Sequence, residues 1–506
     1  MTLLGHLALW LAFLLSVWGA AAGALSVTRG RDDLGRSACR AARATTAALL
    51  AALLALAVAI LRDDFAVVYV AAHANRTLPV LYRFAALWAG PQGALLVYAA
   101  ALSGCNALAL GGVSRIMASR AQAGALVAGV VALLGGILLF SLNPFARLPF
   151  TPVEGLGLDP QLQTPAGMLS PLMLYLAYAA VAIPFVRVTV ALALGRLEAP
   201  WVVAIRRWAL PSWLLLSTGL LLGVRAAYLA PPVLAAPMWD PTLTTAIAAW
   251  ALLTAVLHAV PIHERRGRLR WWDVALLNGC WLLSVLGALR AIAGNGAPPP
   301  ALFLVLLVAG GAGTVGVCLG RRPLLTGADD RASRPRAGGW SIGAHVAHAG
   351  IAMVGIALAA VAVFQTDTRV VLRPGGSATL DSPLGGRYTV TYFGTSRYDR
   401  DNQFVTAATV EVARAGRRVA VLRAERLRYE DVFRRPTYGP IARVGSLSGP
   451  REDVRVALRG LSRRTDEAAF RLTVSPLAWW VWAGGYLLIL GGLLAARRSF
   501  IEGRTE

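Results

Sequence analysis

Residues 342–364 read IGAHVAHAGIAMVGIALAAVAVF, a run of 23 residues without Asp, Glu, Lys or Arg. A helix needs about 20 mainly apolar residues to cross a bilayer, so this stretch predicts a membrane-spanning helix. Two histidines, His345 and His348, interrupt the run. Because an ionisable side chain at membrane depth has to face protein, water or a bound ligand, the same stretch also indicates a site.

The remainder of the chain has the same apolar character. It has 506 residues, of which 57% are hydrophobic, and a mean hydropathy of +0.59. These values are well above those of globular proteins and predict a polytopic α-helical membrane protein. Apolar windows predict about 11 transmembrane helices, at about 2–24, 42–61, 86–110, 121–142, 171–193, 209–229, 241–260, 272–293, 301–319, 341–364 and 475–496.

Charge sets the expected orientation. The formal net charge is +23, and all 49 basic residues are arginine. They concentrate in alternate loops between apolar runs, such as 196–207, 265–270 and 321–336, whereas 230–240 and 294–300 carry none. We interpret this as a topology signal with no nucleic-acid partner, and the positive-inside rule then places the N-terminus outside and the C-terminus inside.

One long polar stretch interrupts the apolar pattern before the last predicted span. Its segments alternate apolar with polar residues, as in Thr409–Ala413 and Phe470–Val474. A period of two with turn residues between runs predicts a small extracytoplasmic β domain. We therefore divide the chain into a transmembrane helical domain (1–364), a β-rich domain (365–474), and a final transmembrane helix with a cytoplasmic tail (475–506).

His258 lies in another apolar run and is expected at a depth similar to that of His348. It lies about 28 Å along a helix from Trp239, whereas His348 lies about 12 Å beyond Trp340 on a helix of opposite direction. Two imidazoles from antiparallel helices suit the two axial positions of a haem iron. A hydrogen-bonded pair without a metal fits the pattern too, and His345, one turn from His348, is a rival ligand. A proton relay would need carboxylates in the spans, and almost none are present.

Several motifs, read in order over about residues 40–500, resemble the CcmF family of cytochrome c maturation proteins (the haem lyase subunit), within a wider haem-handling group. Trp88–Leu96 is similar to the family's W-G-G-x-E-G-S-L-L segment. Asn143–Phe145 is similar to the external loop that follows this segment in the family. Trp239–Pro241 resembles the end of a tryptophan-rich haem motif, and Ala347–Ile351 an A-H-x-G segment. The chain is identified as a diverged and shortened member, expected in a bacterial cytoplasmic (inner) membrane.

The resemblance implies that His258 and His348 ligate a permanent haem b, which supplies electrons to a second haem held outside. That second haem rests on the tryptophan-rich loop, which includes Trp239 and Asp240, before it is attached to apocytochrome c. Other maturation subunits are implied as partners, in addition to haem, apocytochrome c and membrane lipid. Arg83 and Arg290, with Arg225, are placed to pair with haem propionates or to serve as anchors at span ends.

The chain departs from the family at the external haem. Ser170 stands where the family has a histidine ligand, and the sequence has no histidine between His263 and His345. Only one tryptophan remains in 235–243, and His73, on the outer side, is read as a structural hydrogen-bonding residue. Catalytic residues cannot be named, and ligation by this chain alone is therefore in question.

Three functions follow as hypotheses. The first is haem delivery, haem reduction or haem attachment in cytochrome c biogenesis. The second is a non-catalytic scaffold subunit of the maturation complex, which binds its partners through the β domain. The third is a transmembrane haem electron-transfer protein unrelated to ligation.

Overall fold

The computed structural model describes residues 2–110, 117–194, 199–229, 241–266, 271–293, 342–462 and 465–502. Within these ranges the chain forms twelve α-helices: α1 (Thr2–Thr28), α2 (Asp32–Leu61), α3 (Val68–His73), α4 (Val80–Ala85), α5 (Pro91–Leu110), α6 (Met117–Phe140), α7 (Pro165–Leu194), α8 (Ala199–Leu229), α9 (Pro241–Arg266), α10 (Trp271–Ala293), α11 (Ile342–Phe364) and α12 (Trp479–Glu502).

Ten of these helices coincide with predicted membrane spans. Among the described residues, eight are long and apolar enough to cross a bilayer, namely α1, α2, α5, α6, α7, α8, α11 and α12. The helices α9 and α10 contain the shorter apolar stretches Leu243–Ala259 and Ala275–Ala288. The remaining predicted span, 301–319, lies outside the described residues. The prediction of a polytopic helical membrane protein is confirmed.

The helices pack through small side chains. Helix α1 lies against α2 and α6, α7 contacts α5, α8 and α10, and α9 lies between α8 and α10. Helix α12 contacts α8 on one side and α11 on the other. Ala52, Ala99 and Ala179 are fully buried at such interfaces. Small residues let helix backbones approach closely, which compensates for the weak hydrophobic driving force between helices in lipid.

Two antiparallel sheets lie between α11 and α12, where the alternating pattern predicts a β region. One sheet has the order β1-β9-β8-β7 and the other β2-β3-β4-β5-β6. The strands are β1 (Thr366–Leu372), β2 (Ser377–Asp381), β3 (Arg387–Arg400), β4 (Gln403–Arg414), β5 (Arg417–Glu430), β6 (Pro436–Arg443), β7 (Gly445–Leu447), β8 (Glu452–Leu461) and β9 (Ala468–Pro476).

The two sheets share one apolar core. Tyr392 of one sheet meets Phe470 of the other edge to face, with ring centroids 5.2 Å apart. The β4–β5 hairpin turns at Ala415 and Gly416, with φ of 48° and 75°, as tight two-residue hairpins require. The β domain before the last helix is therefore confirmed, while the domain limits 365–474 remain a prediction.

A buried polar contact joins the β domain to the membrane helices. Tyr228, near the end of α8, donates a hydrogen bond to Asp453 of β8 (2.5 Å), and Asp453 is fully buried. Arg455 donates to the Tyr228 carbonyl (3.0 Å) and lies over the Tyr228 ring. Burial raises the pKa of Asp453, although hydrogen bonds and Arg455 oppose the rise. These contacts fix β8 on the end of α8.

The five-stranded sheet contacts two loops of the membrane domain at one of its ends. Asn402, in the β3–β4 turn, donates a hydrogen bond to Gln163, just before α7 (3.0 Å, both buried). Thr77, before α4, donates to the Glu430 carbonyl at the end of β5 (3.0 Å). The β domain therefore contacts the helical domain at two separate places.

Candidate functional site

The structure brings His258 and His348 together. Their ring centroids are 5.7 Å apart, and their ring planes are nearly perpendicular, at 87°. His258 comes from the last turns of α9 and His348 from the second turn of α11, and both side chains are exposed on the surface of the described residues. The pairing inferred from matched depth is therefore present as a direct contact between rings.

A backbone carbonyl one turn earlier orients each ring. Nδ1 of His258 donates to the Thr254 carbonyl (2.7 Å), and Nδ1 of His348 to the Ala344 carbonyl (2.6 Å). A carbonyl oxygen only accepts, so Nδ1 carries the proton and Nε2 is the ring nitrogen suited to a metal. Such a bond also makes the imidazole a stronger ligand.

The donor set fits a haem iron held between two imidazoles. Both rings keep Nε2 as the nitrogen that can bind a metal, and the two rings come from different helices with centroids 5.7 Å apart. Among the described residues no third His, Cys, Asp or Glu joins this pair to form a metal site, so the donor set matches the His/His ligation of an electron-transfer haem better than a structural zinc site, which takes four protein ligands.

A hydrogen-bonded tryptophan pair supports the His258 side. Trp213 of α8 donates to the Thr254 hydroxyl (2.8 Å), which donates to the Trp250 carbonyl (2.7 Å). Trp250 donates to the Ser217 hydroxyl (2.8 Å), and the two indoles stack with centroids 5.9 Å apart. Thr254 also supplies the carbonyl that holds His258, so α8 fixes the helical turn that orients this ring.

Glycines support the His348 side. A Cβ added to Gly491 of α12 would lie 2.6 Å from the Gly343 carbonyl oxygen, and one on Gly350 of α11 would lie 2.6 Å from the Gly484 carbonyl oxygen. Two helices approach this closely only where side chains are absent. Gly343 and Gly350, on either side of His348 in the sequence, therefore allow the close approach of α12 to α11.

The repeat in α12 went unnoticed in the sequence. Gly484 and Gly491 face α11, whereas Gly485 and Gly492, one residue later in each pair, face Leu221 and Leu214 of α8. The spacing of seven residues, Gly-Gly to Gly-Gly, is the signal that could have revealed it. Helix α12 thereby links α8, which orients the His258 turn, to α11, which carries His348.

His345 lies on α11 one turn before His348, and its side chain is exposed. The ring that meets His258 is that of His348. The alternative prediction, that His345 is the ligand, is not tested by this contact.

Ser170 has a structural role where the family resemblance implies a haem ligand. Its buried hydroxyl donates to the Gly219 carbonyl of α8 (2.8 Å). A Cβ on Gly223 would come 3.0 Å from the same hydroxyl and 2.7 Å from Leu243 of α9. The serine therefore lies in a tight junction of α7, α8 and α9.

Arg83 binds its own loop. Its guanidinium pairs with Asp63 (3.1 Å) and donates to the carbonyls of Leu78 (3.1 Å) and Arg76 (3.1 Å). Arg225 lies over the Trp482 ring, 5.0 Å from its centroid. Trp239, Asp240 and the side chain of Arg290 lie outside the described residues. Contact of these residues with a haem stays a prediction.

The remaining outer-side histidines are held by protein groups. Nδ1 of His73 lies 2.9 Å from the Tyr69 carbonyl, and its ring stacks on that of Tyr69. Burial lowers the pKa of His73, although the bond to Tyr69 opposes the shift. His6 accepts a hydrogen bond from Trp10 (3.2 Å). These contacts favour the structural interpretation of His73.

Comparison with known proteins supports the resemblance. Residues 88–289 match the family profile described as "Cytochrome C assembly protein". The cytochrome c-type biogenesis protein CcmF of Pseudomonas aeruginosa is 36% identical over 292 residues, which cover 56% of this chain and 44% of the relative. The same protein of Escherichia coli is 34% identical over 292 residues, covering 56% and 43%. The match thus spans less than half the length of these curated relatives.

The fold is similar over nearly the whole chain. A solved structure named "Cytochrome c Heme Lyase CcmF" superposes with a TM-score of 0.78 and covers 97% of both chains at 19% identity. This likeness shows a shared fold, including the β region before the last helix.

Proposed function

We propose that this chain, in sequence and fold a CcmF-type protein of cytochrome c maturation, binds haem between α9 and α11 through His258 and His348. It takes part in haem delivery, haem reduction or haem attachment to apocytochrome c. The observation that carries the proposal is the ring contact of the two histidines, with centroids 5.7 Å apart. Each ring is oriented through Nδ1, so both can offer Nε2.

A haem b in this position would supply one-electron chemistry to the maturation process. The protein's part is to hold two imidazoles at the same depth and in fixed tautomers. Trp213 and Thr254 hold the His258 turn, and the glycine contacts of α11 with α12 hold the His348 turn. If His258 and His348 both ligated the haem, its contribution would be electron transfer.

Attachment of haem by this chain alone is not part of the proposal. Thioether formation needs a second haem held near the apocytochrome thiols, and Ser170 uses its hydroxyl to bind Gly219. A hydroxyl is no replacement for an imidazole as an iron ligand. We infer that other maturation subunits provide the missing ligands, so this chain serves in haem handling or electron delivery within a complex.

The non-catalytic scaffold is the second candidate, and the same serine favours it. If the histidine pair holds no haem, the Ser170 position, which serves helix packing, provides no haem site either. The remaining role is then binding of partner subunits through the β domain. The chain would then act as an assembly subunit.

The chain is a multi-pass membrane protein, and we propose that it lies in a bacterial inner membrane. The arginine-rich loops support an orientation with the N-terminus outside and the C-terminus inside. The β domain, between α11 and α12, is then extracytoplasmic, where apocytochrome c would be met.

The test is haem content in the purified full-length protein. We expect a reduced-minus-oxidised spectrum of a low-spin b-type haem and about one haem per chain by pyridine haemochrome assay. His258→Ala and His348→Ala should each lose most of the haem, whereas His345→Ala, the matched control on α11, should keep it. If the purified wild-type protein contained no haem, the haem-binding proposal would be wrong and the scaffold function would be favoured. Loss of haem in His345→Ala with retention in His348→Ala would move the ligand to His345.

A further inference from the structure

The five-stranded sheet carries an arginine face where it extends beyond the β-domain core. The face consists of Arg397 (β3), Phe404 and Thr406 (β4), and Arg426 and Arg428 (β5). The register places Arg397 opposite Thr406 and Thr406 opposite Arg426, so the three side chains lie side by side on neighbouring strands. In the next row, Phe404 lies between Asp399 of β3 and Arg428 of β5, so this row also carries one carboxylate on the same face.

Two of these arginines have no acidic partner among the described residues. Arg428 pairs with Glu430 (2.5 Å), and Arg434, beside the face, pairs with Asp399 (2.9 Å). Arg397 and Arg426 make no ion pair within the described part of the chain, although Arg397 is exposed and Arg426 half-buried. With strands about 4.8 Å apart, the two guanidinium groups start from backbone positions about 10 Å apart. The face therefore presents uncompensated positive charge in a fixed arrangement.

The arginine face is turned away from the membrane domain. The opposite face of the same strand ends holds Val405, Leu427 and Tyr429, which pack with Tyr438. The Tyr438 hydroxyl reaches the Gly157 carbonyl, in the loop before α7 (3.5 Å). Since side chains alternate between the two faces of a strand, the arginines point away from these loops.

The chemistry of the face suits carboxylates better than nucleic acid. Single-stranded nucleic acid binds by stacking its bases on exposed aromatic rings. Here the Phe404 ring is already covered by the Arg428 guanidinium, 4.8 Å from the ring centroid. Arginine forks bind carboxylates in two-pronged pairs, and the Thr406 hydroxyl between them can donate one more hydrogen bond.

We propose that the arginine face binds an extended acidic segment of a partner protein. In an extended chain, acidic side chains at alternate residues point the same way about 7 Å apart, and the long side chains of Arg397 and Arg426, which start about 10 Å apart, can converge on two such carboxylates. Charge complementarity of this kind mainly raises the association rate and selects the partner, and its contribution falls with salt. This surface does not depend on haem binding by the histidine pair.

The test uses full-length protein in nanodiscs of neutral lipid and a fluorescein-labelled peptide of alternating Glu and Ser. Binding is followed by fluorescence anisotropy at low and moderate salt. The double variant Arg397→Glu/Arg426→Glu should weaken binding about tenfold, since each exposed charge pair contributes only a few-fold to affinity. Arg369→Glu/Arg417→Glu is the matched control, because these exposed arginines lie elsewhere on the β domain and change net charge equally.

Equal weakening in both double variants would show attraction by net charge only and would overturn the proposal. The milder Arg397→Gln/Arg426→Gln variant guards against misfolding, and unchanged affinity in it would also overturn the proposal. A labelled oligonucleotide of the same charge is tested in parallel. The proposal would also be overturned if this oligonucleotide bound as tightly as the peptide and lost affinity in the same variant. Selective loss of peptide binding supports it.

Discussion

The histidine pair and the Ser170 junction are two polar positions along α9, and only one of them keeps side chains that can bind a metal. Leu243 of α9 lies at the Ser170 junction, and His258 follows fifteen residues later, about 22 Å along the helix. At the His258 end, two imidazoles meet across α9 and α11. At the Ser170 end, the position that the resemblance assigns to a ligand is occupied by a hydroxyl bound to Gly219.

The difference shows what a ligand position requires. The histidines are exposed on the described surface and are oriented from behind by carbonyls, so the metal-binding edge of each ring points outward from its helix. Ser170 is buried among Gly219, Gly223 and Leu243, with no room for a larger group. A resemblance in sequence therefore carries function residue by residue, because the packing around each position decides whether a ligand can act there.

The largest effect is expected from breaking the helix contact behind His348. In Gly491→Ala, the added Cβ lies 2.6 Å from the Gly343 carbonyl oxygen, so α11 and α12 have to move apart. We expect a loss of about 3 kcal/mol in stability and of most of the bound haem. Gly355→Ala on α11 is the control, because nothing lies within 4 Å of its added Cβ.

Thermal unfolding and haem content of both variants measure this effect. If Gly491→Ala retains full haem and wild-type stability while Gly355→Ala does so too, α12 does not set the position of His348. The glycine repeat would then be a packing feature without consequence for the site.

Sequence reasoning recovered the elements with strong local signals. The apolar run 342–364 became α11, and the alternation in Thr409–Ala413 became part of β4. Matched depth found His258 and His348, because helix geometry converts residue counts into distances. No local signal could predict the Tyr228–Asp453 bond, whose partners are 225 residues apart. The loop contacts of Arg83 stayed equally hidden, since carbonyls of irregular backbone leave no pattern in a sequence.

The second prediction tests whether the outer position can be rebuilt. In Ser170→His, an imidazole replaces a hydroxyl that lies 3.0 Å from the Cβ position of Gly223. We expect a loss of about 2 kcal/mol from overpacking and no second haem. Ser170→Ala, which only removes the hydrogen bond to Gly219, should cost about 1 kcal/mol.

Haem stoichiometry and thermal unfolding of the three proteins provide the readout. A stable Ser170→His protein with two haems per chain would contradict the view that packing closed this site. It would show instead that the missing imidazole alone separates this chain from a two-haem protein.

The smallest effect concerns pH and the β-domain end that rests on the outer loops. Burial alone raises the pKa of Glu425. Hydrogen bonds from Arg400 to both carboxylate oxygens (2.8 and 3.1 Å) and from the Tyr398 hydroxyl lower this pKa by more than burial raises it. The net pKa is below its ordinary value of about 4.3. A lowered pKa gives stability that is present above the unfolded value and lost as pH falls through the folded value.

Hydrogen exchange, corrected for intrinsic rates, should therefore show that residues 398–405 lose protection between pH 6 and pH 3. The Asn402–Gln163 bond lies in this segment, so acid loosens the contact of the β domain with the outer loops. Glu425→Gln should remove the pH dependence there, and a peptide around His258, far from Glu425, should change equally in both proteins. An unchanged pH slope in Glu425→Gln would assign the acid sensitivity to other carboxylates. The contact of the β domain with the loops before α4 and α7 would then depend on charge elsewhere in the β domain.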